Sequence, residues 1–323
     1  MIADYVKLPF GVFGMIEEIN KRHNRFILIG SVIYLVGVSG LMLRHNIWFS
    51  PDQFFIFALV AAVILGRGRR FIADWAPIIL IFLSYEYFRG ALPAILKFPL
   101  HSTDLIWAEQ FVFGVIPTIY LQGLFLDLNH FQWYDFFFSL IYMSFWVVPL
   151  VFSYYIWIKN RPLFKFMTLT LFIGCYATFI TFTLFPAMPP WMASERELLP
   201  HVERILYKTT AYLTVPGALP TLYSLLRGNT VAAMPSMHVE LPTMMFLFSL
   251  AFKNRGLILL TGLYLLATYF AITYLGEHYV IDGFAGSLYA IAAYISAKWV
   301  GKKLRLIDLG PRDETAPPDV KTQ

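Results

Sequence analysis

Long apolar runs separated by short polar stretches set the pattern of this chain. A helix that crosses a bilayer needs about 20 mostly apolar residues, within a range of roughly 17–25. Runs of that kind lie at about 26–43, 51–66, 71–90, 133–158, 163–185, 232–252, 257–275 and 278–298. The pattern predicts an all-α integral membrane protein with about eight transmembrane helices. Between 91 and 132 the apolar stretches are interrupted by Pro93, Pro99, His101, Asp104, Glu109, Pro117, Gln122 and Asp127, which predicts helices lying in the interface, or a lid. The stretch from Pro186 to Ala233 is long and rich in Pro and Gly, as functional or disordered loops are. Residues 8–20 fit either a short amphipathic helix on the membrane surface or a disordered lead-in. The charged, Pro-rich stretch 308–323 predicts a disordered tail. No internal repeat is visible, so an inverted-repeat transporter gains no support.

Composition sharpens this picture. Of 323 residues, 58% are hydrophobic, 18% aromatic and 14% charged, and the mean hydropathy is +0.63. A soluble domain carries about 25% charged residues, so this chain cannot cover a globule with charge and its solvent must be mostly lipid. A soluble enzyme, a disordered tail protein and a nucleic-acid binder are excluded together. The single cysteine, Cys175, permits neither an internal disulfide nor a cysteine metal site. Glu17, Glu18, Lys21, Arg22 and Arg25 precede the first apolar run without a small-residue cleavage site, so no cleavable leader is expected. The net charge of +5 is distributed unevenly. Eight crossings place 18 of the 25 Lys and Arg residues on the side of 1–25, 67–70, 159–165, 253–256 and 298–323. The basic side is cytoplasmic, so both termini are expected there, with the two long connecting segments facing outward.

Ionisable groups at membrane depth are costly and mark function by default. They occur at Tyr85-Glu86-Tyr87-Phe88-Arg89, at Met234-Pro235-Ser236-Met237-His238-Val239-Glu240, at Tyr274-Leu275-Gly276-Glu277, and at His278-Tyr279-Val280-Ile281-Asp282. All four lie at the outward ends of their spans, so residues remote in sequence share one layer. Lys159-Asn160-Arg161-Pro162 falls at the opposite ends and cannot join them. His278 and Asp282, four apart, would share a helix face, and a carboxylate on one imidazole nitrogen leaves the other free to act. Each residue also has a plain structural reading. The His–Asp pair would serve as a helix staple or proton relay, Pro235-Ser236 as a helix start, and Arg89 as a snorkelling side chain. Glu240 reads equally as a structural hydrogen-bonding group or a substrate-facing acid. Taken together, two histidines, an orienting Asp and an Arg suit phosphoryl transfer through a covalent histidine intermediate. No clustered ligands suggest a metal, and no cofactor is implied.

At these residues the chain resembles the type 2 phosphatidic acid phosphatase superfamily, and most closely its inositol phosphorylceramide synthase branch. Met234-Pro235-Ser236-Met237-His238 is similar to the superfamily's second motif, and Tyr274-Leu275-Gly276-Glu277-His278-Tyr279-Val280-Ile281-Asp282 to the HYxxD form of its third. Phe185-Pro186-Ala187-Met188-Pro189-Pro190-Trp191 is similar to the PPW segment of the synthase branch. The resemblance covers about residues 71–298. It implies a six-helix phosphatidic acid phosphatase-like bundle within a catalytic domain 71–307, preceded by a segment 1–70 with two added helices. It further implies that His278 is the nucleophile, that Asp282 orients it, and that His238 passes protons to and from the alcohols. Arg89 and Ser236 would hold phosphate oxygens, with Glu86, Tyr274, Pro190 and Trp191 contacting substrate.

Two departures stand out. The hydrolytic branch has Ser-Arg where this chain has Ala271 and Ile272, and its Lys-containing first motif has no counterpart at an outward position. Both favour an alcohol over water as acceptor. The reading implied is a metal-independent transfer of a phosphorylated head group between lipids in the bilayer, with the site at the extracytoplasmic face. A lipid phosphatase using the same residues, a proton-coupled transporter and a structural scaffold remain the alternatives.

Overall fold

The computed structural model describes residues 51–64, 66–95, 98–213 and 230–303; some side chains inside these ranges, Glu86 and Arg89 among them, are outside the description. The expected span 26–43, the lead-in 8–20 and the tail 308–323 also lie outside the described residues. Among the described residues twelve α-helices follow in chain order. They are α1 (Pro51–Ile64), α2 (Gly68–Ile95), α3 (Thr103–Phe113), α4 (Pro117–Phe125), α5 (Trp133–Met143), α6 (Val147–Lys159), α7 (Arg161–Leu184), α8 (Pro190–Glu195), α9 (Ile205–Leu213), α10 (Met237–Phe252), α11 (Arg255–Tyr274) and α12 (Val280–Lys303).

Among the described residues three helices are long and apolar enough to cross a membrane: α7, α11 and α12. The expected span 133–158 is instead two helices, α5 and α6, bent by 53° at a short break, and taken as one unit they make a fourth crossing. The break has a local cause: Pro149, in the first turn of α6, has no N–H to give the Phe145 carbonyl. Ser144 turns its hydroxyl onto the Ile141 carbonyl (2.7 Å) and pairs with the Tyr264 hydroxyl of α11 (2.8 Å). The expected span 232–252 begins as a helix only at Met237, and that at 51–66 is the 14-residue α1. The span 71–90 lies within the 28-residue α2. In place of a crossing between 91 and 132 there are the short helices α3 and α4.

Helix starts follow from local chemistry. Asn160 caps α7 by accepting from the Leu163 N–H (3.2 Å), and Asn254 caps α11 by accepting from Leu257 (3.0 Å), each satisfying a donor that the first turn leaves unpaired. Gln132 and Asp135 form a reciprocal capping box on α5.

The bundle is apolar outside and partly polar inside, the reverse of a protein in water. Leu259, Leu263 and Leu266 on α11 and Leu288 and Ile295 on α12 are exposed, whereas Thr170, Thr178, Glu240, Ser249, Thr261 and Thr268 are buried. Lipid tails give helices no hydrophobic reason to associate, so close packing and polar contacts between them must do it. Helix α10 lies at the centre, against α7, α11 and α12. It is tied by Thr178–Glu240 (2.6 Å) to α7 and by Ser249–Thr261 (3.2 Å) to α11. The shared pair Thr243–Ser287 (2.9 Å) ties it to α12. The buried face of α12 carries Gly283, Gly286, Ala290, Ala293 and Ala297, small residues at helical spacing that let backbones approach. At Gly286 a Cβ would collide with the Ser236 carbonyl.

His278, in the turn between α11 and α12, and His238, in the first turn of α10, meet at one end of the bundle. The other end holds Arg161, which forms a fork on Asp74 of α2 (2.6 and 2.7 Å) with the Trp157 indole on the same carboxylate (2.9 Å). The segment Lys159–Pro162 is thus remote from the site, as topology alone required.

Gly286→Ala is expected to lower the unfolding free energy in detergent by about 1–3 kcal/mol, because the added methyl overpacks the α10–α12 contact. Denaturant titration of the purified variant against wild type measures it, and an unchanged midpoint would mean that the two helices have room to part.

Candidate active site

Three stretches of backbone assemble the site. The Pro186–Met188 segment is sewn between two partners: His101 N–H donates to Pro186 O (2.9 Å), Met188 N–H to His101 O (2.9 Å), and Ala187 N–H to Val231 O (2.7 Å). This brings residues 231–236, which lead into α10, beside the PPW segment. The turn between α11 and α12 is the third stretch. Its Gly276 has φ +80°, a left-handed conformation suited to glycine, and its carbonyl accepts the Trp191 N–H (3.1 Å). Gln122 of α4 fastens the neighbouring loop, donating to the carbonyls of Glu203 (2.8 Å) and Tyr274 (2.9 Å) and accepting from the Glu203 N–H (2.8 Å).

His278 lies in that turn, two residues before α12. Its backbone N–H donates to Ile272 O (3.0 Å), and its ring is almost fully buried. Nδ1 is 2.8 Å from the Ala233 carbonyl oxygen, and Nε2 is 3.2 Å from Nδ1 of His238. A carbonyl only accepts, so the network assigns the His278 proton to Nδ1 and leaves a lone pair on Nε2. The nitrogen of His238 that faces it then carries a proton. The His238 ring is stacked on Tyr142 (centroids 3.9 Å, 22°) and tilted against Phe145 (4.1 Å), so the bend between α5 and α6 supplies its aromatic wall.

The expected His278–Asp282 pair is arranged differently from two residues on one helical face. Asp282 is on α12 and His278 precedes it, with Oδ2 3.7 Å from Nδ1. That oxygen caps the turn by accepting the Tyr279 N–H (2.9 Å). The atom in hydrogen-bond contact with Nδ1 is the Ala233 carbonyl; the Asp282 side chain stands behind it, fully buried.

Both histidines open onto a cavity of about 180 Å³. Its walls include Tyr142, Phe145, Phe182, Pro189 and Trp191, with Arg204 and Glu277 as its charged members. Arg204 lies over the Trp191 ring (4.1 Å) and donates to both carboxylate oxygens of Glu277, at 2.8 Å from Nε and 3.4 Å from Nη2. Stacking and this two-point ion pair hold the guanidinium in one plane. Arg204 was not singled out by the sequence reading. It sits in the long loop between α8 and α9, where no periodicity or motif sets it apart.

The expected site residues therefore separate. His238, His278 and Trp191 line one cavity, and Asp282 stands behind His278. Pro190 opens α8 and is buried outside the lining, where its neighbour Pro189 takes part. Ser236 is fully buried and off the cavity; its N–H donates to Asp282 O (2.8 Å). Tyr274 faces away, its hydroxyl donating to Asp135 of α5 (2.5 Å). Glu240 is turned into the bundle, where one carboxylate oxygen accepts from Thr178 (2.6 Å). The side chains of Glu86 and Arg89, on α2, are outside the described residues. Among the described residues no group of three or more His, Cys, Asp or Glu side chains has metal-holding geometry.

One further carboxylate stands near the His278 turn. Glu109 of α3 is fully buried, and its Oε1 accepts the Ile281 N–H in the first turn of α12 (3.0 Å). Burial, with the charge of Asp282 adding to it, pushes its carboxyl up to about 7.

A family model described as the PAP2 superfamily matches residues 108–296. No curated protein and no solved structure matches the chain.

Glu109 makes stability depend on pH with a definite sign. Its carboxyl keeps a proton in the fold between about 4.5, its ordinary value, and about 7, where the unfolded chain has released it. Stability contributed by this group is therefore present at pH 4.5 and lost as pH rises to 7, by roughly 3 kcal/mol in total. Unfolding in detergent at pH 5 and pH 8 should show a smaller difference for Glu109→Gln than for wild type; equal differences would refute the assignment.

Proposed function

The chain belongs to the PAP2 superfamily, and on that ground, together with the paired histidines, we propose that it is a membrane phosphotransferase moving a phosphorylated head group between lipids. The observation that carries the reading is the facing pair His278 Nε2 and His238 Nδ1 at 3.2 Å, with the far nitrogen of His278 tied to a carbonyl. One nitrogen offers a lone pair and the other a proton, the two things needed to break a phosphate ester.

In this reading the donor's phosphorus enters between the two rings. The Nε2 lone pair forms a P–N bond while the P–O bond to the departing alcohol breaks, and its electron pair takes the Nδ1 proton from His238, which reacts as the imidazolium and is left as neutral imidazole. The phosphorylated His278 ring keeps its Nδ1 proton and becomes cationic, a charge offset by the buried Asp282 carboxylate behind it. The acceptor alcohol then loses its proton to His238 and attacks phosphorus, and the P–N electrons return to His278. Arg204 takes the phosphate oxygens; it is the sole Lys or Arg among the cavity-lining residues described, and a guanidinium matches phosphate in a two-point fork. The cavity's aromatic and aliphatic lining, and buried Ala271 and Ile272 in place of Ser-Arg, support a lipid alcohol as acceptor. The excess of basic residues at the opposite end of the bundle supports an extracytoplasmic site with cytoplasmic termini.

The test uses purified protein with total membrane lipids labelled with phosphorus-32 and an SDS quench at alkaline pH. Wild type should acquire protein-bound label that survives alkali and is lost in acid, as expected of phosphohistidine. His278→Ala should acquire none, and His238→Ala should label slower by about 10²-fold or more. Full labelling of His278→Ala refutes the mechanism. Release of inorganic phosphate without a new labelled lipid would make the enzyme a phosphatase acting through the same residues.

A further inference from the structure

Helix α3 has two unlike faces. Trp107 and Phe111 are exposed at 64% and 75% and stack on each other (5.2 Å). On the opposite side Leu105 and Glu109, four residues apart, are buried. A carboxylate taken into an apolar setting is costly unless its bonds are used. Glu109 does not line the cavity, so it is not there to meet substrate. Its Oε1 instead accepts the Ile281 N–H, in the turn that follows His278.

That turn is also held from the α10 side, where the Ser236 N–H donates to the Asp282 carbonyl (2.8 Å), and by its own residues. Asp282 accepts from Tyr279, and its backbone N–H returns to Tyr279 O (3.2 Å). The opening N–H groups of a helix lack partners within it, and Ile281 carries one of them. Glu109 satisfies it from a different helix, remote in sequence. The titratable groups facing Glu109 are Asp282 and Tyr279 on the α12 side, and Asp104 of α3 acts on the same Tyr279.

We propose that Glu109 is a positioning residue for the nucleophile, fixing the first turn of α12 and with it the direction of His278 Nε2 toward His238. The proposal rests on His278 being the nucleophile. It gives the segment between 91 and 132 a part in the chemistry, through α3, in addition to covering the bundle end.

Two variants separate positioning from bulk stability. Glu109→Gln keeps an oxygen to accept the Ile281 N–H; Glu109→Leu keeps the size and loses the acceptor. With the labelled-lipid assay above, Glu109→Gln should acquire label within about twofold of the wild-type rate. Glu109→Leu should be slower by about tenfold or more at an unchanged half-saturating lipid concentration, as expected when a nucleophile is misplaced without loss of binding. If Glu109→Leu does not fold, Ile281→Pro removes the same bond from the donor side at a first-turn position where proline is tolerated, and the same slowing is expected. Wild-type rates in Glu109→Leu or Ile281→Pro overturn the proposal and leave the role of His278 intact. A wild type that takes no label brings down the His278 reading and this one with it.

Discussion

One carbonyl oxygen, that of Ala233, decides which nitrogen of His278 carries the proton and which the lone pair. A hydrogen bond of this kind contributes only about 1 kcal/mol to net stability, yet it selects a tautomer. Ala233 owes its position to the backbone around it. Ser236 N–H reaches the Asp282 carbonyl, Gly286 lets α12 lie against the first turn of α10, and Val231 is sewn to Ala187. Loss of any one of these would leave both histidines in the chain and dissolve the relation between them.

The bundle achieves this while facing lipid. Its hydroxyl pairs are individually weak, about 0.6 kcal/mol on average in comparable helices, so they orient helices more than they bind them. Thr181–Tyr289 (2.6 Å) and Ser84–Tyr176 (2.5 Å) join helices at fixed heights, and the small residues of α12 allow the close approach that makes dispersion effective. The result is a rigid frame under a site built almost entirely on turns and helix ends.

Much of this was legible in the residues, and the exceptions share a physical reason. The runs at 163–185, 257–275 and 278–298 announced α7, α11 and α12 because lipid-facing helices need unbroken apolar length. The run at 133–158 concealed a bend, although Pro149 within it lacks the N–H that a continuous helix would need. His238, His278 and Trp191 were recognisable from short motifs. Ser236, Tyr274 and Pro190 belong to the same motifs but point elsewhere: a motif fixes backbone proximity, and side-chain direction depends on what packs behind it. Arg204 and Glu109 carried no signal of their own. One is a loop arginine and the other an acid interrupting an apolar stretch, and only tertiary contacts with Trp191, Glu277 and Ile281 single them out.

The seam joining His101, Ala187 and Val231 has a consequence for the order in which the molecule assembles. Its partners are far apart along the chain, so closing it costs loop entropy that local helix formation does not repay. The helices can form individually, but this seam cannot exist until residues 231–236 have been made and brought beside 186–188. The facing histidine pair is thus a late product of folding, and a chain arrested before α10 would hold most of the bundle's apolar mass without it.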